Sequence, residues 1–235
     1  MDSNVAARLP LFGGPRAWNP SDWTSTDDRV RGGSSHSKMT CSPASLVAKF
    51  SGYLDISTLG GAGFASQRTT GEDRTWDLSA YDGLELDITS GNGKLFTITL
   101  TDEAVRKRPD GRQESAMSWE YDFRASDEPE KVFVRWGDFR PTYRGKEVED
   151  ARPLDLGGVK RFGLMVRSFF GTQEGEFYLN IVSIAALRFT YESDDGDHPE
   201  DEKDYVIVEE KPIRSSDAST TRGWMSWVGK CLGLV

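Results

Sequence analysis

Cysteine and histidine are scarce in this chain of 235 residues, which contains two of each. Cys41 and Cys231 are too few for a disulfide framework or a structural zinc site, and a reducing compartment is the simpler expectation. His36 and His198 lie too far apart in sequence to form a histidine pair at metal-ligand spacing. We therefore predict neither a metal nor another cofactor.

Basic charge is also in short supply, because the formal net charge at pH 7 is −9. Residues 192–204 include eight acidic residues and a single lysine, so this run accounts for seven of the nine negative charges. The rest of the chain is close to neutral and has no stripe of lysine and arginine interleaved with aromatics. Nucleic acid is therefore not an expected partner.

Long apolar runs are missing as well, since no stretch approaches the roughly 18 apolar residues of a membrane-spanning helix. The N-terminal segment MDSNVAARLP contains an early acid, one arginine and no apolar core. It matches neither a secretory signal nor a typical arginine-rich mitochondrial presequence. A cytosolic location is accordingly one expectation from the sequence.

The chain is rich in period-two alternation of apolar and polar residues between Leu46 and Phe189, interrupted about every ten residues by Gly, Pro, Asn or Asp. Two successive runs each place their apolar side chains on one face. The string Gly91-Asn-Gly93 separates them and predicts a hairpin. The core residues expected from these runs are Leu84, Leu86, Ile88, Phe96, Ile98 and Leu100.

Similar alternation marks residues 45–54, 63–69, 118–123, 132–136, 162–166 and 177–181. These runs, without a long amphipathic helix, predict an all-β fold, and a two-sheet jelly roll is the economical arrangement. We predict an N-terminal arm (1–17), a β-sandwich domain (18–190), an acidic disordered linker (191–222) and an amphipathic C-terminal segment (223–235).

Familiar catalytic motifs are absent from the sequence. Ser34 and Ser35 lie in the string GGSSHS rather than in a Gly-x-Ser-x-Gly nucleophile elbow. The string GGAGFA at residues 60–65 lacks the third glycine of a dinucleotide fingerprint, and strand-like residues follow it. A pair of carboxylates across a groove, as in glycoside hydrolysis, stays open. We expect a binding domain rather than an enzyme.

Short segments in a fixed order carry a resemblance to a known family. They are residues 23–37 (WTSTDDRVRGGSSHS), 50–52 (FSG), 59–68 (LGGAGFASQR), 77–83 (DLSAYDG), 91–93 (GNG), 139–145 (FRPTYRG), 162–165 (FGLM) and 175–177 (GEF). Together they resemble the complex I intermediate-associated protein family over roughly residues 18–189. The resemblance implies a galactose-binding-like jelly roll related to carbohydrate-binding modules, in agreement with the strand pattern.

The same resemblance implies a role and a location. Animal members of the family help to assemble the membrane arm of mitochondrial NADH:ubiquinone oxidoreductase (complex I) and are not oxidoreductases themselves. The expected partners are assembly intermediates or other assembly factors on the matrix side of the inner membrane. A carbohydrate- or small-ligand-binding module and an interaction adaptor outside mitochondria stay open as alternatives.

The motif at residues 28–35 combines opposite charges with two glycines, which lets the chain turn sharply and gather backbone N–H groups. One interpretation is a small anionic or sugar-like site. The other is that ion pairs of this motif with Arg68 or Arg144 pin the N-terminal segment to the sandwich. The candidate binding residues are Asp28, Arg29, Arg31, Ser34, Ser35, Arg68 and Arg144.

Aromatic residues offer a second type of binding surface, because their faces can stack on a sugar. Core packing is the competing explanation for most of them. The two are distinguished by whether aromatic faces and carboxylates share one exposed groove. The aromatics considered are Trp18, Trp23, Trp76, Trp119, Trp136, Tyr53, Tyr81, Tyr121 and Tyr143.

A short β-prone run follows the acidic residues. Tyr205 and Val208 lie three residues apart with acids on both sides, a pattern that resembles motifs binding the ubiquitin-like modifiers of autophagy. Such a segment can add as a strand to a partner's sheet edge. Pairing of this run with the chain's own sandwich is the alternative.

The C-terminal segment has helical rather than strand periodicity. Trp224, Trp227, Val228 and Cys231 fall at i, i+3, i+4 and i+7 and line one side of a helix. This side is too short to span a bilayer but suits peripheral contact with a membrane surface. A groove on a partner protein is the other expected site for it.

Overall fold

A computed structural model describes residues 5–41, 46–71, 73–104 and 114–190. Short 3-10 turns lie at Pro20–Asp22, Asp28–Arg31, Trp136–Asp138 and Leu156–Gly158. The strands within the described residues are β1 (Val5–Gly13), β2 (Trp23–Ser25), β3 (His36–Cys41), β4 (Ala48–Leu54), β5 (Phe64–Thr69), β6 (Gly83–Gly91), β7 (Leu95–Thr101), β8 (Ser118–Arg124), β9 (Glu130–Arg135), β10 (Arg140–Tyr143), β11 (Lys146–Glu147), β12 (Arg161–Arg167) and β13 (Gly175–Phe189).

These strands form two antiparallel sheets. One has six strands in the order β3-β4-β13-β6-β9, and its sixth strand, β1, pairs with the C-terminal half of β13. The other has seven strands in the order β11-β10-β8-β7-β12-β5-β2. The predicted all-β sandwich is therefore confirmed.

The core lies between the two sheets and contains the residues that alternation predicted. Leu84, Leu86 and Ile88 on β6 are fully buried, as are Phe96, Ile98 and Leu100 on β7. Each such side chain contributes roughly 1.5–3 kcal/mol by leaving water. Phe12, Trp18, Trp23, Trp76 and Phe162 form a cluster of aromatic rings at one end of this core.

The predicted hairpin between β6 and β7 is wrong, because these strands belong to different sheets. Period-two alternation identifies the buried face of a strand but not its neighbour. The connecting Gly91-Asn-Gly93 turn crosses the sandwich and bonds to the segment after β8, where Gly91 N–H donates to the carbonyl of Ser126 and Gly93 N–H to that of Ala125.

The sandwich begins before residue 18, since the predicted N-terminal arm contributes β1. Arg8 in the middle of β1 interrupts a simple apolar pattern because it binds an acid on the sheet. Its Nη2 lies 2.8 Å from Glu85 Oε1 and 2.9 Å from Ser183 Oγ. The β1 strand is thus held by both backbone pairing and a partly buried ion pair.

The predicted acidic linker and C-terminal segment lie outside the described residues. The same applies to Tyr205, Val208, Trp224, Trp227, Val228 and Cys231. The interpretations of these residues stay predictions.

Candidate functional site

The turn at Asp28–Arg31 is built on a carboxylate that is completely buried. Asp28 Oδ1 accepts a hydrogen bond from Ser35 N (3.0 Å), and Oδ2 accepts from Ser35 Oγ (2.7 Å) and Phe64 N (3.1 Å). A buried carboxylate is tolerated only when its oxygens are paired in this way. The side chain therefore fixes the turn against the start of β5.

The neighbouring Asp27 makes an equivalent set of bonds one step further along the same strands. Asp27 is 7% exposed. Its oxygens accept from Ser37 Oγ (2.6 Å), Ser37 N (3.1 Å) and Ser66 N (2.9 Å). Because β3 belongs to one sheet and β5 to the other, the two aspartates join the sheets at their edges.

Two glycines let the turn close over these carboxylates. Gly32 has a φ of +82°, in the left-handed region that glycine adopts readily. At Gly33 a Cβ atom would lie 2.3 Å from Asp28 Cγ, so no larger residue fits. The charged, glycine-containing motif thus closes the sandwich.

The structure brings only some of the predicted binding residues together. Asp28 and Ser35 are in contact, and Ser34 Oγ accepts from Thr58 Oγ1 at 3.0 Å. Arg29 and Arg31 are exposed, and the Arg31 guanidinium lies 5.4 Å from the Phe64 ring centroid.

The other two arginines lie elsewhere. Arg68 is on the outer face of β5, and Arg144 follows β10, where its Nε lies 3.2 Å from Ser115 Oγ. One interpretation of the motif was an ion pair with Arg68 or Arg144. The donors to Asp28 described above are instead the hydroxyl of Ser35 and the backbone N–H groups of Ser35 and Phe64.

A groove lies on the outer face of the seven-stranded sheet and has a volume of about 210 Å³. It crosses β5, β12, β7 and β8 in turn. Its lining among the described residues is Thr26, Ser66, Gln67, Arg68, Thr99, Thr101, Glu114, Ala116, Ser118, Glu120, Arg161, Gly163 and Met165.

The floor of this groove is a row of residues paired across four strands. Gly163 lies opposite Arg68 on β5 and opposite Thr99 on β7. Thr99 in turn lies opposite Glu120 on β8. A Cβ atom at Gly163 would approach Thr99 Oγ1 to 2.4 Å, so the absence of a side chain there produces the depression.

One wall of the groove is held by a charged network at the end of β12. Arg167 Nη1 donates to Glu120 Oε2 at 2.7 Å, and Nη2 contacts both oxygens of Asp122 at 2.7 and 2.8 Å. Thr97 Oγ1 also donates to Asp122. These bonds fix Glu120, while Arg68 and Arg161 supply positive charge on β5 and β12. The groove thus presents both signs of charge.

A further acid fixes the chain just beyond β7. Asp102 accepts from Arg152 Nη1 and Nη2 at 2.6 and 2.8 Å and from Asp155 N at 2.8 Å. Burial raises the pKa of Asp102, but the bonds and charge of Arg152, with the Asp155 N–H, outweigh burial and hold the pKa below its usual 3.8. Asp102 is therefore a charged structural anchor at neutral pH.

The aromatic residues do not form a stacking surface in this groove, because none of its described lining residues is aromatic. Trp18, Trp23 and Trp119 are buried. Tyr53 and Tyr143 are exposed, but they lie on β4 of the opposite sheet and at the end of β10. Carboxylates and aromatic faces therefore do not share the groove.

Neither a metal-binding cluster nor a membrane-spanning helix is found in the part of the chain that the structure describes. No group of three or more His, Cys, Asp and Glu side chains is placed there to hold a metal ion. No helix in that part is long and apolar enough to cross a membrane.

Solved structures of carbohydrate-binding modules have a fold similar to that of this sandwich. The family 11 module from Clostridium thermocellum, solved with a β-1,3-1,4-mixed-linked tetrasaccharide, is similar with a TM-score of 0.51 and 13% identity, covering 77% of this chain and 95% of that one. The family 11 module of cellulase Lic26A-Cel5E from the same organism gives a TM-score of 0.50 and 14% identity, covering 78% and 95%. At such identities the likeness shows the fold alone.

The sequence identifies the family, which the similar folds do not. The family model of complex I intermediate-associated protein 30 (CIA30) matches residues 11–181, and the chain belongs to this family. An uncharacterized protein of Schizosaccharomyces pombe is 43% identical over 184 residues, covering 76% of this chain and 84% of that protein. The predicted family resemblance is confirmed.

Sequence reasoning did not find the groove, because its residues come from four strands that are far apart in the chain. Two signals were nevertheless available. Thr97, Thr99 and Thr101 share the outer face of β7, and two of them, Thr99 and Thr101, line the groove. Gly163 interrupts an apolar strand, which marks close approach of another group.

Proposed function

We propose that this protein is a non-catalytic assembly factor for mitochondrial NADH:ubiquinone oxidoreductase, and that the groove on the seven-stranded sheet holds a segment of a partner protein. The observation that carries the proposal is the CIA30 match over residues 11–181, which includes the groove-lining strands. A family match over this length supports a shared partner class more strongly than the fold alone does.

The groove chemistry supports a polypeptide as its ligand. Arg68 and Arg161 face one side of the groove, and Glu114 and Glu120 lie on the side formed around β8. A peptide can meet both signs of charge with its side chains and can hydrogen-bond the threonine hydroxyls through its backbone. A sugar would be expected to use an aromatic platform.

The carboxylates and serines of the motif support a binding role rather than turnover. Asp27 and Asp28 are occupied by hydrogen bonds that hold the two sheets together. His36 stacks on Tyr53 with ring centroids 6.2 Å apart, whereas Ser34 bonds to Thr58. Ser34 and His36 therefore take part in separate local contacts, and neither is arranged as a nucleophile with its base.

The location that follows from this role is the matrix side of the mitochondrial inner membrane. An interaction adaptor in the cytosol is the alternative that the N-terminal sequence raised. Imaging of an internally tagged chain, combined with fractionation of the source cells, separates these two locations.

The role is tested by deleting the gene in the source organism and measuring assembled complex I on native gels. We expect loss of the mature complex and accumulation of intermediates, both restored by the wild-type chain. An Arg161→Glu variant should fail to restore assembly because it removes one sign of charge from the groove. The control is Lys146→Glu, an exposed position on β11 of the same sheet but outside the groove lining.

Two results would overturn the proposal. One is unchanged complex I in the deletion strain. The other is saturable binding of a mixed-linked glucan by the purified chain that Arg161→Glu abolishes, which would favour the carbohydrate-binding alternative.

A further inference from the structure

Two turns of the sandwich expose apolar side chains near arginines. Phe170, in the turn after β12, is 94% exposed, and Val30, in the 3-10 turn after β2, is 77% exposed. Exposed single apolar residues are common, but these two lie on turns that contact the same loop. We call Val30, Phe170 and the flanking Arg29 and Arg31 the apolar tip.

Hydrogen bonds join the turns of the apolar tip through the loop that precedes β5. Asp28, at the start of the Val30 turn, accepts from Phe64 N at 3.1 Å. The carbonyl of Gly63, the residue before Phe64, accepts from Ser168 N at 2.9 Å. Ser168 is the first residue of the Phe170 turn. The two exposed apolar residues therefore lie on turns that flank the same loop.

The Phe170 turn is held in a costly conformation. Phe169 and Phe170 have φ angles of +43° and +59°, and Gly171 follows at +86°. Left-handed backbone is unfavourable for residues with a Cβ, and such strain tends to persist at functional sites.

Gln173 secures this turn. Its Nε2 donates to the carbonyls of Arg167 (2.7 Å) and Leu95 (2.9 Å), and its Oε1 accepts from Leu95 N. The exposure of Phe170 is therefore built into the structure.

We propose that the apolar tip docks on the surface of an anionic membrane. A projecting aromatic ring can enter the boundary between headgroups and acyl chains without a shaped pocket. Arg29 and Arg31 are exposed beside it and can contact lipid phosphates, while the nearby acids Asp28 and Asp55 are engaged by serine, threonine and backbone donors.

The position of the apolar tip relates it to the groove. Phe64 begins β5 and lies opposite Arg167 at the end of β12, and the groove continues along the same two strands through Met165 and Gly163. Docking through the apolar tip would hold the groove beside the bilayer. The inference goes beyond the proposed function, and binding to pure lipid vesicles tests it without any complex I subunit.

The test uses the full chain carrying Trp224→Ser and Trp227→Ser. These changes remove the predicted membrane contact of the C-terminal segment, so that any vesicle binding measured reports on the apolar tip. Flotation is measured with phosphatidylcholine vesicles, alone or with an anionic phospholipid at about three to one. We expect binding to the anionic vesicles, reduced roughly tenfold by Phe170→Asp and retained by Phe170→Leu.

A matched control is Leu46→Asp. Leu46 is 61% exposed and precedes β4, at the end of that strand away from Asp55 and the apolar tip. This variant should float like its parent, while Val30→Asp should weaken binding as Phe170→Asp does.

Equal flotation of Phe170→Asp and its parent would overturn the proposal, as would failure of the parent to bind anionic vesicles. A third contradicting result is a protein partner that Phe170→Asp loses while no variant binds vesicles, since the tip would then fit a protein pocket.

Discussion

The motif at residues 23–37 can be recognised in the sequence, whereas the groove on the seven-stranded sheet cannot. The motif concentrates charges, serines and glycines within a few positions, and most of that chemistry is used internally by Asp27 and Asp28. The groove has no contiguous motif and gathers Arg68, Arg161 and Glu120 from three strands. A dense local motif here marks buried hydrogen bonds, whereas an exposed binding surface is assembled from distant residues.

The largest expected loss of stability distinguishes a core residue under the groove from a neighbouring residue that lines the groove. Ile98 is fully buried on β7, and Thr99 beside it faces the groove. Ile98→Asp should unfold the domain, because an unpaired buried carboxylate costs several kcal/mol against a total stability of about 5–15 kcal/mol. Thr99→Asp should stay folded. Thermal melting by circular dichroism distinguishes them, and a native-like transition for Ile98→Asp would contradict the assigned register.

An intermediate effect tests whether the turn is structural. Asp28→Ala leaves Ser35 N and Phe64 N without their buried acceptor and should destabilise the protein by about 3 kcal/mol. Arg31→Ala, on the exposed side of the same turn, should change stability by less than about 0.5 kcal/mol. Urea unfolding measures both. Similar values for the two variants would show that the carboxylate does not hold the sheets together.

The smallest effect concerns Asp102, whose pKa is lowered below 3.8 by Arg152 and the Asp155 N–H against the opposing effect of burial. A lowered pKa contributes stability above its unfolded-state value, and this contribution is lost as the pH falls through the folded-state value. Asp102→Asn should cost about 1–2 kcal/mol at neutral pH. It should also flatten the fall in stability below about pH 4. An unchanged acid profile in urea titrations would contradict this assignment.

The sequence predicted the sandwich well because the buried faces of the strands follow a strict period of two. Leu84 to Ile88 and Phe96 to Leu100 could be assigned to the core for this reason. Pairing was not predictable in the same way, since β6 and β7 lie in different sheets although their patterns would also suit a hairpin. β1 escaped notice because Arg8 satisfies an acid on the sheet rather than following the apolar pattern.

The candidate site was less predictable for a related physical reason. The charges of Arg29, Arg31 and Asp28 are adjacent in sequence, yet the backbone turn sends the arginines outward and the aspartate inward. Arg68 was a predicted site residue, but only the register of β5, β12 and β7 shows that it lies opposite Gly163, which in turn lies opposite Thr99. Neighbours across a sheet depend on strand order, which alternation does not encode.

Site-specific photocrosslinking in the source cells tests the central claim most directly. A benzophenone amino acid is placed at Thr101 in the groove or at Lys38, which is exposed on β3 of the opposite sheet. The account predicts that Thr101 crosslinks to a complex I subunit or another assembly factor and that Lys38 does not. Crosslinking from Lys38 alone, or from neither position in cells that assemble complex I, would contradict the assignment of the groove as the binding site.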